Sequence, residues 1–188
     1  LKSLHLFKGT FTGYGEGFDL EAAPTRLQAL IMFIRVLGEE EQALTWSGTT
    51  PFKDIEKGSQ AEHYVGYAYE KGYTNGYTAT SFKPAGAVNA YQYTEFVLRA
   101  MGYSSAANKD LSDTLLRAVN AGVLTDGDAA MLQSAAFLRA QLVYISYYAL
   151  EADLPDGSQS LADRLMDLGV FTRDEWLGSW KLVKSDRL

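Results

Sequence analysis

Phe18 to Gly38 reads FDLEAAPTRLQALIMFIRVLG and Phe82 to Gly102 reads FKPAGAVNAYQYTEFVLRAMG, and the two stretches overlay without a gap. Met131 to Ala152 repeats the length with weaker letters. Self-similarity at intervals of about 50 to 60 residues marks a repeat architecture, in which function sits on surfaces between units rather than in one catalytic pocket.

The repeated stretch carries its own helix boundaries. Thr25 followed three residues later by Gln28 is a capping box: the hydroxyl accepts from the amide of residue 28, and the glutamine reaches back to the amide of Thr25. Asn89 and Gln92 repeat the device, and Pro24 disfavours helical geometry in Ala23, which sharpens the start. Leu27, Leu30, Ile31, Ile34 and Leu37 form an apolar stripe, with Gly38 where a left-handed residue ends the helix. Arg35 and Arg99 lie in the matching last turns, where the helix dipole favours a cation, so capping or packing is their expected role.

Each unit is expected to hold a short helix, a turn-rich loop and this longer helix. In the second unit Ala61, Tyr64, Val65, Ala68 and Tyr69 fall on one helical face that Gly72 ends, and the loop Gly72-Tyr73-Thr74-Asn75-Gly76-Tyr77 follows. In the third unit the short helix is expected over Leu111 to Ala121 and the long one from about Leu138 to Leu150. Leu138 cannot cap as threonine does, although Arg139 and Gln141 remain, so this is the degenerate copy. Leu1 to Gly9 and Leu161 to Phe171 both resemble the short helix; the first reads as the truncated start of unit one, the second as an extra half-unit covering an apolar edge. The expected divisions are 1–50, 51–109 and 110–152 for the three units and 153–188 for the half-unit. Glu39 to Thr50, Ser104 to Lys109 and Asp153 to Gln159 read as linkers. The fold class expected is all-α.

Composition narrows the function classes. With 47% hydrophobic and 21% charged residues, the 188-residue chain is a folded protein rather than a disordered one. A net charge of -6 without a basic run makes nucleic acid a poor partner. The absence of cysteine removes disulfides, thiolate metal sites and thiol nucleophiles together. No apolar stretch approaches the roughly 20 residues of a spanning helix, so no membrane insertion is expected. The chain starts at a leucine with no signal peptide and reads as a piece of something longer.

Catalytic constellations are also missing. His5 and His63 are the only histidines and form no ligand pair or triad pattern. Asp126-Gly127-Asp128 and Asp153-Leu154-Pro155-Asp156-Gly157 resemble calcium loops without the full spacing and read as solvated acidic turns. Gly13-Tyr14-Gly15-Glu16-Gly17 has no strand before it and reads as a turn, while Glu39, Glu40 and Glu41 read as a solvated charge run in a linker. Neither a metal nor a cofactor is expected, and neither is an enzyme.

LFKGT (Leu6 to Thr10), APTRLQAL (Ala23 to Leu30), FKDI (Phe52 to Ile55), YVGYAYEKGYTNGY (Tyr64 to Tyr77) and FKP (Phe82 to Pro84), in this order, resemble the S-layer homology domain over roughly Leu1 to Leu150. That family's pattern is a Phe-x-Asp opening, a short helix, a Gly-x-x-x-Gly turn, Phe-x-Pro, and a Thr-Arg-Ala-Glu motif starting a second helix. The resemblance implies a pseudo-threefold array of three repeats, with a central three-helix bundle, short helices and loops as prongs, and grooves between units. It further implies a non-catalytic module on the surface of a Gram-positive-type cell, anchoring an exported protein to secondary cell-wall polysaccharide, often pyruvylated. The motif glutamate is Gln28, Gln92 and Gln141 here, and the tryptophan usual before the second unit's short helix is missing, with His63 nearby.

Arg26 adds a physical argument of its own. It sits at the first position of its helix, where the positive dipole end disfavours a cation, so a nearby anion would explain it. Free helix amides with an arginine fork suit a carboxylate such as a pyruvate ketal on a sugar. Thr25, Gln28, Asn89 and Gln92 mark the same helix starts, and Arg139 holds the Arg26 position in unit three, where unit two has Ala90. A surface or inter-repeat salt bridge is the competing reading for both arginines. Among the tyrosines clustered in unit two, Tyr64 and Tyr69 are assigned to packing, and Tyr73 and Tyr77, in the loop, to a sugar platform. The alternative to wall binding is a degenerate helical repeat that mediates protein contacts or surface-layer assembly.

Overall fold

The computed structural model describes residues 1–7, 19–103 and 111–183. The start of the first repeated stretch at Phe18, the glycine turn at residues 13–17 and the linker at 104–109 lie outside the described residues. The described residues form helices α1 (Arg26–Val36), α2 (Glu40–Leu44), α3 (Gln60–Glu70), α4 (Ala90–Met101), α5 (Thr114–Asn120), α6 (Asp126–Ser134), α7 (Arg139–Glu151), α8 (Leu161–Asp167) and α9 (Arg173–Trp180). No strand occurs among them, only three isolated β-bridges. The fold is all-α.

The long helices begin where the caps place them. Thr25 and Asn89 close complete capping boxes with Gln28 and Gln92, which satisfy amides at the starts of α1 and α4. Leu138 offers no acceptor, and only the reciprocal half survives at α7, where its amide donates to Gln141 Oε1 at 3.0 Å. Gly38 ends α1 at φ 70 and lies against Val170; an added Cβ would come within 2.5 Å of a Val170 methyl, so both backbone angle and packing require glycine.

α1, α4 and α7 pack against one another in pairs, and each carries one of the expected short helices: α3, as long as α1 itself, on α1, and the shorter α5 and α8 on α4 and α7. Leu30, Ile34, Tyr93, Leu98, Leu142 and Ile145 are among the fully buried side chains of the three long helices, each contributing roughly 1.5–3 kcal/mol by its removal from water. Buried Glu95 ties α4 to α5 by accepting from Arg99, Arg117 and Thr114. Each short helix therefore packs on the long helix that precedes it in the chain.

Several sequence expectations change. Among the described residues 1–7 of the expected first short helix, a single 3-10 turn forms, Lys2–Leu4, which packs against α9. The short helix of unit three starts at Thr114 rather than Leu111, whose φ of 61 is not helical. Asp126 to Asp128 is not an acidic turn but the start of α6: Asp128 closes a capping box with Thr125, is buried, and accepts from the Tyr144 hydroxyl at 2.6 Å. Glu39 to Glu41 are likewise no solvated run, because Glu40 and Glu41 open α2. Glu40 accepts from Arg35 Nε at 2.6 Å and from the Tyr64 hydroxyl at 2.8 Å. Trp46 of the same segment covers α3, where an added Cβ on Gly66 would meet its ring at 2.1 Å.

Candidate functional site

The starts of α1 and α7 are received by loops from elsewhere in the chain. Arg26 N donates to Gly86 O at 2.9 Å and Leu27 N to Pro84 O at 3.1 Å, while Gln28 N donates to Thr25 Oγ1 at 3.2 Å. At α7, Arg139 N donates to Ala22 O and Ala140 N to Leu20 O, both at 2.9 Å. The expectation of free helix amides ready for a carboxylate is thereby corrected: these donors are spent on carbonyls of the adjacent loops. Thr25, Gln28, Asn89 and Gln92 are engaged in their boxes and serve first as caps. No described carbonyl receives Ala90 or Tyr91 at the start of α4.

What remains at these junctions is charge. Arg26 is 4% exposed, and its Nε donates to Phe82 O at 2.9 Å. Its guanidinium carbon lies 5.0 Å from the ring centre of Phe82, 5.7 Å from Phe96 and 5.9 Å from Tyr77, within cation–π range of all three. No carboxylate among the described residues pairs with it, so the salt-bridge reading fails for Arg26. Burial pushes its pKa down from the ordinary arginine value, opposed by the more distant Tyr77 and Asp54. Arg139 is 3% exposed, and its Nε is buried with no hydrogen-bond partner; no ion pair is formed either among the described residues. A buried cation left unpaired costs several kcal/mol unless another group neutralises it.

The loop from Gly72 to Gly86 builds the outer wall beside Arg26. Asp54 organises its end, accepting from Ser81 Oγ at 2.7 Å, Phe82 N at 2.9 Å and Lys83 N at 2.8 Å. Desolvation is the largest single influence on Asp54 and raises its pKa, but these bonds together outweigh it and hold the carboxyl below its usual value. The clamp fixes Lys83 at φ 57, a left-handed geometry that non-glycine residues adopt only when their surroundings impose it. Lys83 Nζ sits 3.6 Å from the centre of the Tyr77 ring, and Tyr77 is 52% exposed. An exposed aromatic ring thus lies within cation–π range of one surface cation and one buried cation.

Tyr73 does not join it. Its side chain is buried, meets Phe33 edge to face at 5.5 Å, and donates to Glu39 at 2.9 Å. Burial, reinforced by the Glu39 charge, pushes its phenol well above the ordinary value, and Tyr67 is raised for the same reasons. The platform role assigned to Tyr73 is corrected to a core role, and Tyr77 alone of the pair faces solvent. Lys83 and Asp54 were the residues missed: both stand in the strings FKP and FKDI, which were read as landmarks rather than as a clamp and its cargo.

Clefts occur elsewhere too. One of about 630 Å³ involves His5, Arg35, Glu40 and Leu168, and one of about 350 Å³ involves Lys2, Tyr144, Tyr147 and Ser179. Neither includes the helix-start arginines. Among the described residues no group of three or more His, Cys, Asp or Glu could hold a metal ion, and no helix is long and apolar enough to cross a membrane.

Residues 51–89 match the family model of the S-layer homology domain. The match runs from the Phe52 opening through α3, the Gly72 to Gly76 turn and Phe82 to Pro84, and ends at the cap of α4. No curated protein matches the chain. Over residues 51–89 the chain thus carries an S-layer homology unit, a type of module that binds cell-wall polymers and holds proteins at the cell surface.

Proposed function

We propose that the chain anchors an exported protein to secondary cell-wall polysaccharide of a Gram-positive-type cell, through grooves between three S-layer homology units, without catalysis. The family match over one unit supports the module; the polymer is inferred from the two helix-start arginines. One observation carries that step: Arg26 and Arg139, at equivalent helix starts, are buried without a carboxylate partner among the described residues. A polymer bearing carboxylates, such as pyruvate ketals, supplies the missing anion, and a guanidinium fork pairs with a carboxylate through two parallel bonds. Tyr77 offers a flat apolar face with a hydroxyl for the sugar ring, and Lys83 adds a second cation. Further domains covalently linked to this chain are the cargo.

The test is co-sedimentation with wall sacculi before and after extraction of their polysaccharide. Binding is expected only to the unextracted walls, and equal binding to both would refute the polymer. A second reading, protein contact or surface-layer assembly, draws on one feature: Leu177, Trp180 and Leu182 are exposed on and just after α9. Capture of a protein partner that survives polysaccharide extraction would favour it.

A further inference from the structure

Asn75 and Gly76 lie in the loop that carries Tyr77. Asn75 is exposed, and Gly76 is held at φ 82. An added Cβ at Gly76 would come within 2.3 Å of Phe52 Cε1 and 2.6 Å of Thr78 O, so the fold requires glycine after this asparagine. A following glycine is also what leaves a backbone nitrogen unshielded toward an asparagine side chain.

We propose that Asn75 is a self-modification site that turns into aspartate and isoaspartate and thereby tunes the neighbouring groove. The Gly76 nitrogen attacks the Asn75 side-chain carbonyl carbon, forming a C–N bond. The bond to Nδ2 breaks, and the proton from the Gly76 amide leaves with that nitrogen as ammonia. Water then opens the five-membered imide at either carbonyl and returns the amide proton. Nothing is oxidised or reduced, and water is the sole co-reactant.

The structure also contains a brake. Gly76 N donates to the Thr74 hydroxyl oxygen at 3.1 Å, and Thr74 is buried. That bond must break before the nitrogen can turn to attack, which slows the reaction about fivefold for one ordinary hydrogen bond. The other described asparagines lack this chemistry: Asn89 is occupied as a cap and precedes Ala90, and Asn120 lies in α5 before Ala121.

Conversion takes the net charge from -6 to -7. The new carboxylate sits two residues before Tyr77, and isoaspartate lengthens the backbone ahead of that ring. If the groove receives an anion, as proposed above, binding falls with age by about two- to fivefold, the scale of one added surface charge. This consequence rests on that reading, whereas the modification does not.

The protein is incubated in mildly alkaline buffer, digested with trypsin and analysed by fragment mass spectra of the peptide Gly72 to Arg99, in which Pro84 protects Lys83 from cleavage. Acid and isoaspartate are expected to accumulate at Asn75 and not at Asn89, about fivefold faster in Thr74→Val, at the wild-type rate in Thr74→Ser, and not at all in Asn75→Gln. An unmodified Asn75 in both wild type and Thr74→Val, after the isolated peptide has converted fully, overturns the site. Equal rates in wild type and Thr74→Val overturn the brake. Wall binding by Asn75→Asp separates the two readings. Unchanged binding there alongside a loss in Arg26→Met refutes the tuning, and unchanged binding in both refutes the anion groove while leaving the mass data standing.

Discussion

Replacing Arg26 with methionine separates the two tasks a buried arginine can have. Methionine keeps an unbranched stem and removes both charge and fork. The variant loses the 2.9 Å bond from Nε to Phe82 O, a charged hydrogen bond contributing about 1.5–3 kcal/mol. It also loses contacts at 5.0, 5.7 and 5.9 Å to three rings, for which cation–π attraction contributes about 0.5–2 kcal/mol. Against this, it removes a buried cation with no carboxylate partner among the described residues and so relieves a desolvation penalty on the order of a few kcal/mol. The opposing effects leave a net loss of about 1 kcal/mol, or a Tm lower by about 2–4 °C for a chain of this size. On the proposed reading binding behaves differently, because the two-pronged contact from Arg26 to a polymer carboxylate would disappear with nothing to offset it. A loss of about 1.5–3 kcal/mol weakens Kd about tenfold to 150-fold.

Thermal unfolding by circular dichroism and sedimentation isotherms on polysaccharide-bearing walls read the two quantities side by side. Thr25→Ala is the control, since it costs about 1 kcal/mol through the lost cap while keeping the charge. Its binding should stay within about twofold of wild type, the size of a few tenths of a kcal/mol. Arg26→Met that melts in the stated range and binds walls as wild type does would refute the reasoning, and the arginine would then be a packing cation held by three rings.

Gly76→Ala should cost about 1–2 kcal/mol for its left-handed angle and about 1–3 kcal/mol for the contacts with Phe52 and Thr78 O, lowering Tm by about 5–15 °C in a thermal melt. Asp54→Asn keeps an acceptor but not three charged bonds. A loss of about 1 kcal/mol is expected after allowance for solvent exposure, with weaker wall binding and unchanged helix content by circular dichroism. The same carboxyl has a lowered folded-state pKa, so its contribution is present above the ordinary value near 3.9 and is lost as pH falls through the folded value, which Asp54→Asn should remove from an acid titration of stability. At the alkaline end, Tyr64 is raised to about 12, mainly by burial and then by Glu40, and Tyr67, Tyr73 and Tyr93 are raised further. A raised value means folding favours the neutral phenol. Stability should therefore hold below the ordinary tyrosine value near 10 and fall as pH climbs from there through the folded values, and denaturant midpoints that stay flat across that span would contradict this.

The legibility of the chain divides along the range of the forces involved. Thr25 with Gln28 and Asn89 with Gln92 could be read directly, because a cap concerns a side chain and an amide three residues apart. The same local logic, applied to Glu39 to Glu41 and Asp126 to Asp128, misjudged them. Glu39 meets Tyr73 34 positions away, and Asp128 meets Tyr144 16 positions away, partners that no local pattern announces. Arg26 stands out in the amino-acid sequence as a cation at a helix start, yet its burial under Phe82, 56 positions on, is invisible there, as is the loss of the free amides to Pro84 and Gly86.

By itself the amino-acid sequence determined the starts of α1 and α4, the all-helical class and, over residues 51–89, the order of motifs that the family model matches. Those features follow from hydrogen bonds and apolar spacing within a turn or two of helix. The tertiary structure decided which charges are paired, which tyrosine reaches solvent and which cation has no carboxylate partner among the described residues. The physical reason is that burial and charge compensation depend on every element packed around a side chain, and here the decisive neighbours of Arg26, Tyr73 and Asp54 come from distant segments.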